Sequence, residues 1–154
     1  MRNRGKFLGR NEMARVVDVA EYILRARGPM SAWKLQKLVY YSQAWHSVWE
    51  DEPLFEERIE AWANGPVVRD LYDLHAGKFT VRTVGGNADR LNEHEAESVD
   101  VVLNHYGKRS SQYLSDLTHM EDPWKLARQG VPEGARSNNE ITLEAISEYY
   151  SSLV

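Results

Sequence analysis

Cysteine is absent from this chain, and that one absence excludes disulfides, thiolate metal sites and cysteine nucleophiles together. A reducing cytosol suits such a composition, so a cytoplasmic location is the expectation. No apolar run approaches the ~18 residues that a membrane-spanning helix requires, and the first ten residues, MRNRGKFLGR, carry charge without the apolar stretch of a secretion signal. The chain is expected neither to be secreted nor to cross a membrane. Phosphate-cradling loops are missing as well, because the GGN of residues 85–87 lacks both the P-loop lysine and the three-glycine dinucleotide spacing. After residue 10 no compact patch interleaves basic with aromatic side chains, the pattern a nucleic-acid surface would show.

What is present is ordinary for a globular protein: 154 residues, 42% apolar and 27% charged. A chain of that length forms one domain and buries about two thirds of its unfolded surface without staples. Five tryptophans and eight tyrosines supply large anchors for a core or an interface. Charge is unevenly placed, since Arg2, Arg4, Lys6 and Arg10 stand in the first ten residues with no acid among them. Taking these 4 from the 19 basic residues leaves 15 against 23 acidic ones, a net of −8 for the rest. Residues 1–10 therefore read as a basic flexible arm and residues 11–154 as an acidic domain. Such a body repels phosphate backbones and attracts basic protein partners.

Hydrophobic spacing divides the domain mostly into helices. Asn11 is placed to cap a first helix carrying Met13, Val16, Val17, Ala20 and Leu24 inward, with Gly28 and Pro29 as its end. Ser31 caps a second, tryptophan-rich helix, with Leu35, Leu38, Val39, Trp45 and Trp49 on one side and Tyr41, Ala44 and Val48 on another. Only Gln36, Gln43 and Ser47 mark a wet sector, which predicts a helix at the centre of the domain. Weak alternation predicts short strands near residues 57–63 and 78–84. Between them, the Asn-Gly-Pro of residues 64–66 reads as a helix entrance with Pro66 at the first position, followed by Val67, Leu71 and Leu74 on a buried face. Asn92 with Glu95 forms a capping-box pattern, Ser110 or Ser111 opens a shorter helix, Asp122 and Pro123 start another, and Thr142 caps the last with Ile141 and Ile146 as a staple. The fold class is thus mainly α with a small β element.

Candidate chemistry is sparse. Ser42 and His46 stand four apart on a helix, the spacing of a nucleophile and its base, but both lie on the apolar side and are expected to satisfy each other. The HEAES of residues 94–98 imitates a zinc-protease helix yet has Ser98 where a second histidine is required. His119, Glu121 and Asp122 could ligate a metal or act as acid and base, against which Asp122 is the expected helix cap. His75 and His105 fall near helix ends, where cations suit the dipole. We expect no enzyme, no metal and no cofactor.

Four blocks, LQKLVYYSQAW (35–45), IEAWANGPVVRDLY (59–72), THMEDPWKLAR (118–128) and ITLEAISEYY (141–150), occur in order and at fitting distances. Together they resemble the Panacea domain of SocA-like antitoxins. The resemblance implies a mainly helical domain, found in bacterial and phage proteins, that neutralises a toxin encoded beside it by direct binding. Trp45, Trp62, Gly65, Pro66, Tyr72 and Trp124 correspond to recurrent positions of the family. One branch of the family hands its toxin to a protease, so a protease adaptor and a phage-associated regulatory protein are the alternative readings. The expected partner is a cognate toxin, basic if it handles RNA. Trp33, Arg69 and Tyr72 are the candidate contact residues, because aromatic and arginine side chains dominate interface energetics. The arm and the loop of residues 130–139 are candidates for choosing the partner.

Overall fold

The computed structural model describes residues 13–154; the basic arm of residues 1–10 and the expected cap Asn11 lie outside them. The chain runs α1 (Val16–Arg27), β1 (Met30–Ser31), α2 (Ala32–Glu50), β2 (Ile59–Trp62), β3 (Gly65–Val68), α3 (Arg69–His75), β4 (Thr80–Val81), a single 3-10 turn (Ala88–Arg90), α4 (Glu93–Tyr106), α5 (Ser111–His119), α6 (Asp122–Ala127), β5 (Glu140–Ile141) and α7 (Leu143–Ser151). It is mainly helical with small β elements, as the sequence reads. The strands form two separate sheets, β1 with β4 and β3-β2-β5, all antiparallel.

Capping chemistry sets several boundaries where expected. Ser31 Oγ accepts from the Lys34 N–H at 3.1 Å, and Asn92 and Glu95 exchange side-chain to backbone bonds at 2.8 Å. Ser110 and Thr142 cap α5 and α7, and the staple residues Ile141 and Ile146 are both buried. The first helix is shorter than its periodicity suggests: it begins at Val16, with Arg15 at the cap position and Met13 before it. There the Asp18 carboxylate accepts from the Arg15 N–H, and Glu57 accepts from that of Val16. Both acids satisfy orphan donors of the first turn.

Helix α2 is the centre, packed by α1, α4, α5, α7 and β3. Its expected wet sector does not exist, for Gln36, Gln43 and Ser47 are all buried. A helix enclosed on every side has no solvent sector, and polar side chains there must find partners inside. Gln43 does so by accepting from the Leu54 N–H at 2.6 Å and donating to the Phe55 carbonyl at 2.8 Å, which fixes the loop after α2. Trp49, expected inward, is 39% exposed because the last turn of α2 emerges from its neighbours; its ring stacks on Trp45 at 5.6 Å.

The Asn-Gly-Pro segment is a hairpin turn, not a helix entrance. Gly65 pairs with Trp62, Pro66 with Ala61 and Val68 with Ile59, and α3 starts only at Arg69. Pro66 and Val68 point their main-chain polar atoms away from β2 and toward α2, so the N–H that proline lacks removes no rung from the ladder. Leu71 and His75, four apart, then form the buried face of α3, while Leu74 is 47% exposed. The second strand is likewise shorter than expected, and Phe79 next to it is 78% exposed.

A tyrosine network closes the domain. The Glu121 carboxylate, buried, accepts from the Tyr41 hydroxyl at 2.8 Å and from that of Tyr150 at 2.7 Å, and the hydroxyls of Tyr40 and Tyr150 lie 3.1 Å apart. Tyr41 stacks on Tyr106 at 4.2 Å, and the Trp45 indole donates to the Tyr106 hydroxyl at 2.9 Å. Helices α2, α4 and α7 are thereby tied to the start of α6. Burial raises the Glu121 carboxyl above its ordinary range, with the two hydroxyl donors working against that shift. A raised folded value means the group's stabilisation is complete at low pH and is lost as pH rises through that value.

Two outcomes follow from these contacts. Replacing Glu121→Gln keeps an acceptor for both tyrosines and removes the buried charge, so thermal melts should show the variant at least as stable at neutral pH and without the parent's gain on mild acidification. A variant clearly less stable at neutral pH would contradict this. Gln36→Leu, which strands the Val68 N–H and carbonyl, should cost about 3 kcal/mol in urea unfolding, and a loss within error of zero would mean those groups find other partners.

Candidate functional site

The sequence-level candidates for chemistry are not brought together. Ser42 and His46 do not satisfy each other: the Ser42 hydroxyl turns back to the Leu38 carbonyl at 2.8 Å, as serines inside helices do, and His46 reaches across to Ser98 on α4 at 2.8 Å. That contact also occupies Ser98, the position where a zinc helix needs histidine. His119 stacks on Trp124, ring centres 3.9 Å apart, whereas Glu121 turns inward to its tyrosines. Asp122 is not the cap of α6. Glu121 holds the cap position without a side-chain cap bond, and Asp122 is the exposed first residue of the helix.

His75 is also not the solvated cation expected at a helix end. It is buried against Gln36, its Nε2 lying 3.0 Å from the amide nitrogen, and burial first, then Lys37, lowers its pKa. His119 is lowered by the same two causes in the same order, with weaker opposing contributions.

What the fold does assemble is an aromatic surface. Trp33 projects from the first turn of α2, Trp62 from the end of β2 and Tyr72 from α3. Their ring centres are 6.5 Å (Trp33 to Trp62), 6.3 Å (Trp33 to Tyr72) and 4.9 Å (Trp62 to Tyr72) apart. The exposed Arg69 guanidinium sits 5.9 Å from the Trp62 ring and pairs with Asp73 at 3.3 Å. All three expected contact residues therefore share one patch, joined by Trp62. Its polar tips are used internally: the Trp62 indole donates to Glu60 at 2.8 Å, and that of Trp124 donates to the Trp62 carbonyl at 2.8 Å. Trp33, Trp62 and Tyr72 are each half-buried, and the Trp62 ring is held at its indole N–H.

Trp62, Gly65, Pro66 and Trp124 meet at the hairpin, while Trp45 belongs to the tyrosine network. Sequence reasoning missed Lys37 beneath them. It is 1% exposed, and burial lowers its amine from the ordinary lysine range to about 7. Its Nζ lies 3.4 Å from the Pro66 carbonyl and 5.4 Å from the Trp33 ring. Gly65, at φ +126°, adopts a backbone that residues with side chains rarely take, and a Cβ there would also stand 2.6 Å from the Lys37 Cε. The one legible signal was Lys37 falling inside an otherwise buried stretch of the wheel.

Residues 35–125 match the family described as antitoxin SocA-like, Panacea domain. No curated protein and no solved structure matches the chain. The match spans more than half of the sequence and takes in most of the central helix, the hairpin, Trp62 and Tyr72, with Trp33 just before it, so the chain belongs to the SocA-like antitoxin, Panacea domain family.

Proposed function

We propose that this protein is a non-enzymatic antitoxin that neutralises a protein toxin by direct binding, with Trp33, Arg69 and Tyr72 at the contact. The observation that carries the reading is the convergence of those three side chains and Trp62 on one half-exposed patch in a chain of an antitoxin family. Large rings held in place lose little conformational freedom on association, and rings with arginine are the side chains that concentrate binding energy. Neutralisation follows by occlusion of the toxin's working surface. Net charge of −8 outside the arm draws in a basic toxin and steers its approach. The basic arm of residues 1–10 and the loop of residues 130–139 help choose among toxins, and the protein acts in the cytoplasm.

The reading is tested by co-expressing the neighbouring open frame as the toxin and measuring affinity in a purified pair. Trp33→Ala or Tyr72→Ala should weaken binding at least tenfold, about 1.4 kcal/mol or more, and Arg69→Ala should weaken it too. Tyr113→Ala, an exposed ring on α5, should leave affinity unchanged. Three patch variants that fold and bind like the parent would remove the patch from the interface. Neutralisation that appears only after a protease is added would replace occlusion with delivery for degradation. Removing residues 1–10 should lower affinity or widen the range of toxins bound, and an unaltered profile would discard the arm's role.

A further inference from the structure

We propose that Lys37 is the positioning residue of the aromatic surface: its stem, threaded past Gly65, seats the turn of hairpin β2–β3 on α2, and proton uptake by its amine unseats that turn and separates Trp33 from Trp62.

The geometry makes one side chain common to both halves of the patch. Trp33 lies one helical turn before Lys37 on α2, and Trp62 precedes the turn whose Gly65 the lysine stem touches. The amine's hydrogen bond to the Pro66 carbonyl, at 3.4 Å, is near the long limit for such a contact. Groups facing it are His75 from α3, and from α5 His119 and the Thr118 hydroxyl, which lies 3.1 Å from where a Gly65 Cβ would stand. Arg69 and Arg128 add positive charge at the Trp62 ring and the Ala61 carbonyl. Among the described residues no carboxylate pairs with the lysine.

An ammonium group in that position is desolvated and lacks a counter-ion, which is costly unless the charge reaches water. The four-carbon stem is long and flexible enough to do so, and with its Nζ at the Pro66 carbonyl and its Cε beside Gly65 the hairpin turn is the barrier that must move. Relief therefore lifts the turn. The amine is lowered to about 7 only while seated and regains the ordinary value of about 10.4 once exposed, so the turn is driven open as pH falls from about 10.4 towards about 7. The consequence for binding rests on the toxin-binding reading of the patch: affinity should fall on acidification, and toxin binding should in turn oppose proton uptake.

The test uses the domain without a partner. A carbon-labelled lysine titration followed by NMR should give Lys37 a midpoint below the ordinary value of about 10.4 and no lower than the seated value of about 7, and indole fluorescence should change with the same midpoint. Lys37→Met should abolish the fluorescence transition, and His75→Gln and His119→Gln should retain it. A Lys37 midpoint in the ordinary range, a flat fluorescence profile, or a transition that survives in Lys37→Met would overturn the proposal. If Lys37→Met does not fold, the two titrations of the unaltered protein still decide. Toxin affinity lost in Trp33→Ala but with no pH response discards the clasp and keeps the antitoxin reading; a pH response without toxin binding does the reverse.

Discussion

A central helix enclosed along its middle turns imposes the constraint on which the rest of the structure depends: every polar group on that stretch must be answered inside the protein. Ten consecutive residues of α2, from Leu35 through Ala44, are buried, and Gln36, Lys37, Ser42 and Gln43 are among them. Unpaired, such groups would each cost on the order of 1–3 kcal/mol. Paired, they organise the backbone around them. Gln43 shapes the loop after α2 and Gln36 holds Val68 by both its N–H and its carbonyl, while Lys37 reaches Pro66. The outer edge of β3 is thereby finished by side chains of a helix instead of by another strand. A short hairpin that would be marginal alone acquires a fixed seat.

That seat explains why an aromatic surface can exist here at all. Three rings from α2, β2 and α3 keep centre distances of 4.9 to 6.5 Å only if the hairpin does not slide on the helix. Gly65 permits the close approach, Pro66 gives up an N–H that no neighbouring strand needs, and Trp124 ties the turn to α6 through the Trp62 carbonyl. Gly65, Pro66 and Trp124 hold the hairpin, and Trp33, Trp62, Arg69 and Tyr72 form the surface that it carries.

Much of this was legible in the sequence, and the failures share a cause. Caps and staples at Ser31, Asn92, Ser110 and Thr142 were readable because they depend on residues three or four positions apart. The central place of α2 was readable from its wheel. Its polar residues were misread as solvent-facing, since their partners at Val68 and Leu54 lie far off in sequence or beyond the helix end. The hairpin was read as a helix start because Pro66 suits both, and only pairing with residues 59–62 decides between them. The inward role of Glu121, which the sequence offers only as a metal ligand or an acid or base, stays hidden for the same reason: its tyrosines come from α2 and α7. Trp33, Arg69 and Tyr72 were chosen by residue type alone, and nothing in their spacing announced that Trp62 would join them.

The buried lysine separates shape from charge in this domain. A leucine or methionine at position 37 would fill similar space and avoid the desolvation that drives the amine to about 7. Seating the hairpin does not by itself require an ionisable group, because Gln36 already completes Val68 with neutral bonds. A lysine in that place adds a response to protons, located under the patch and facing two histidines whose own pKa values it lowers. Charge on the lysine and charge on either histidine oppose each other, so proton uptake by one makes uptake by the other harder. A core of hydrocarbon would hold the rings equally still at every pH; this one couples their arrangement to a single buried amine.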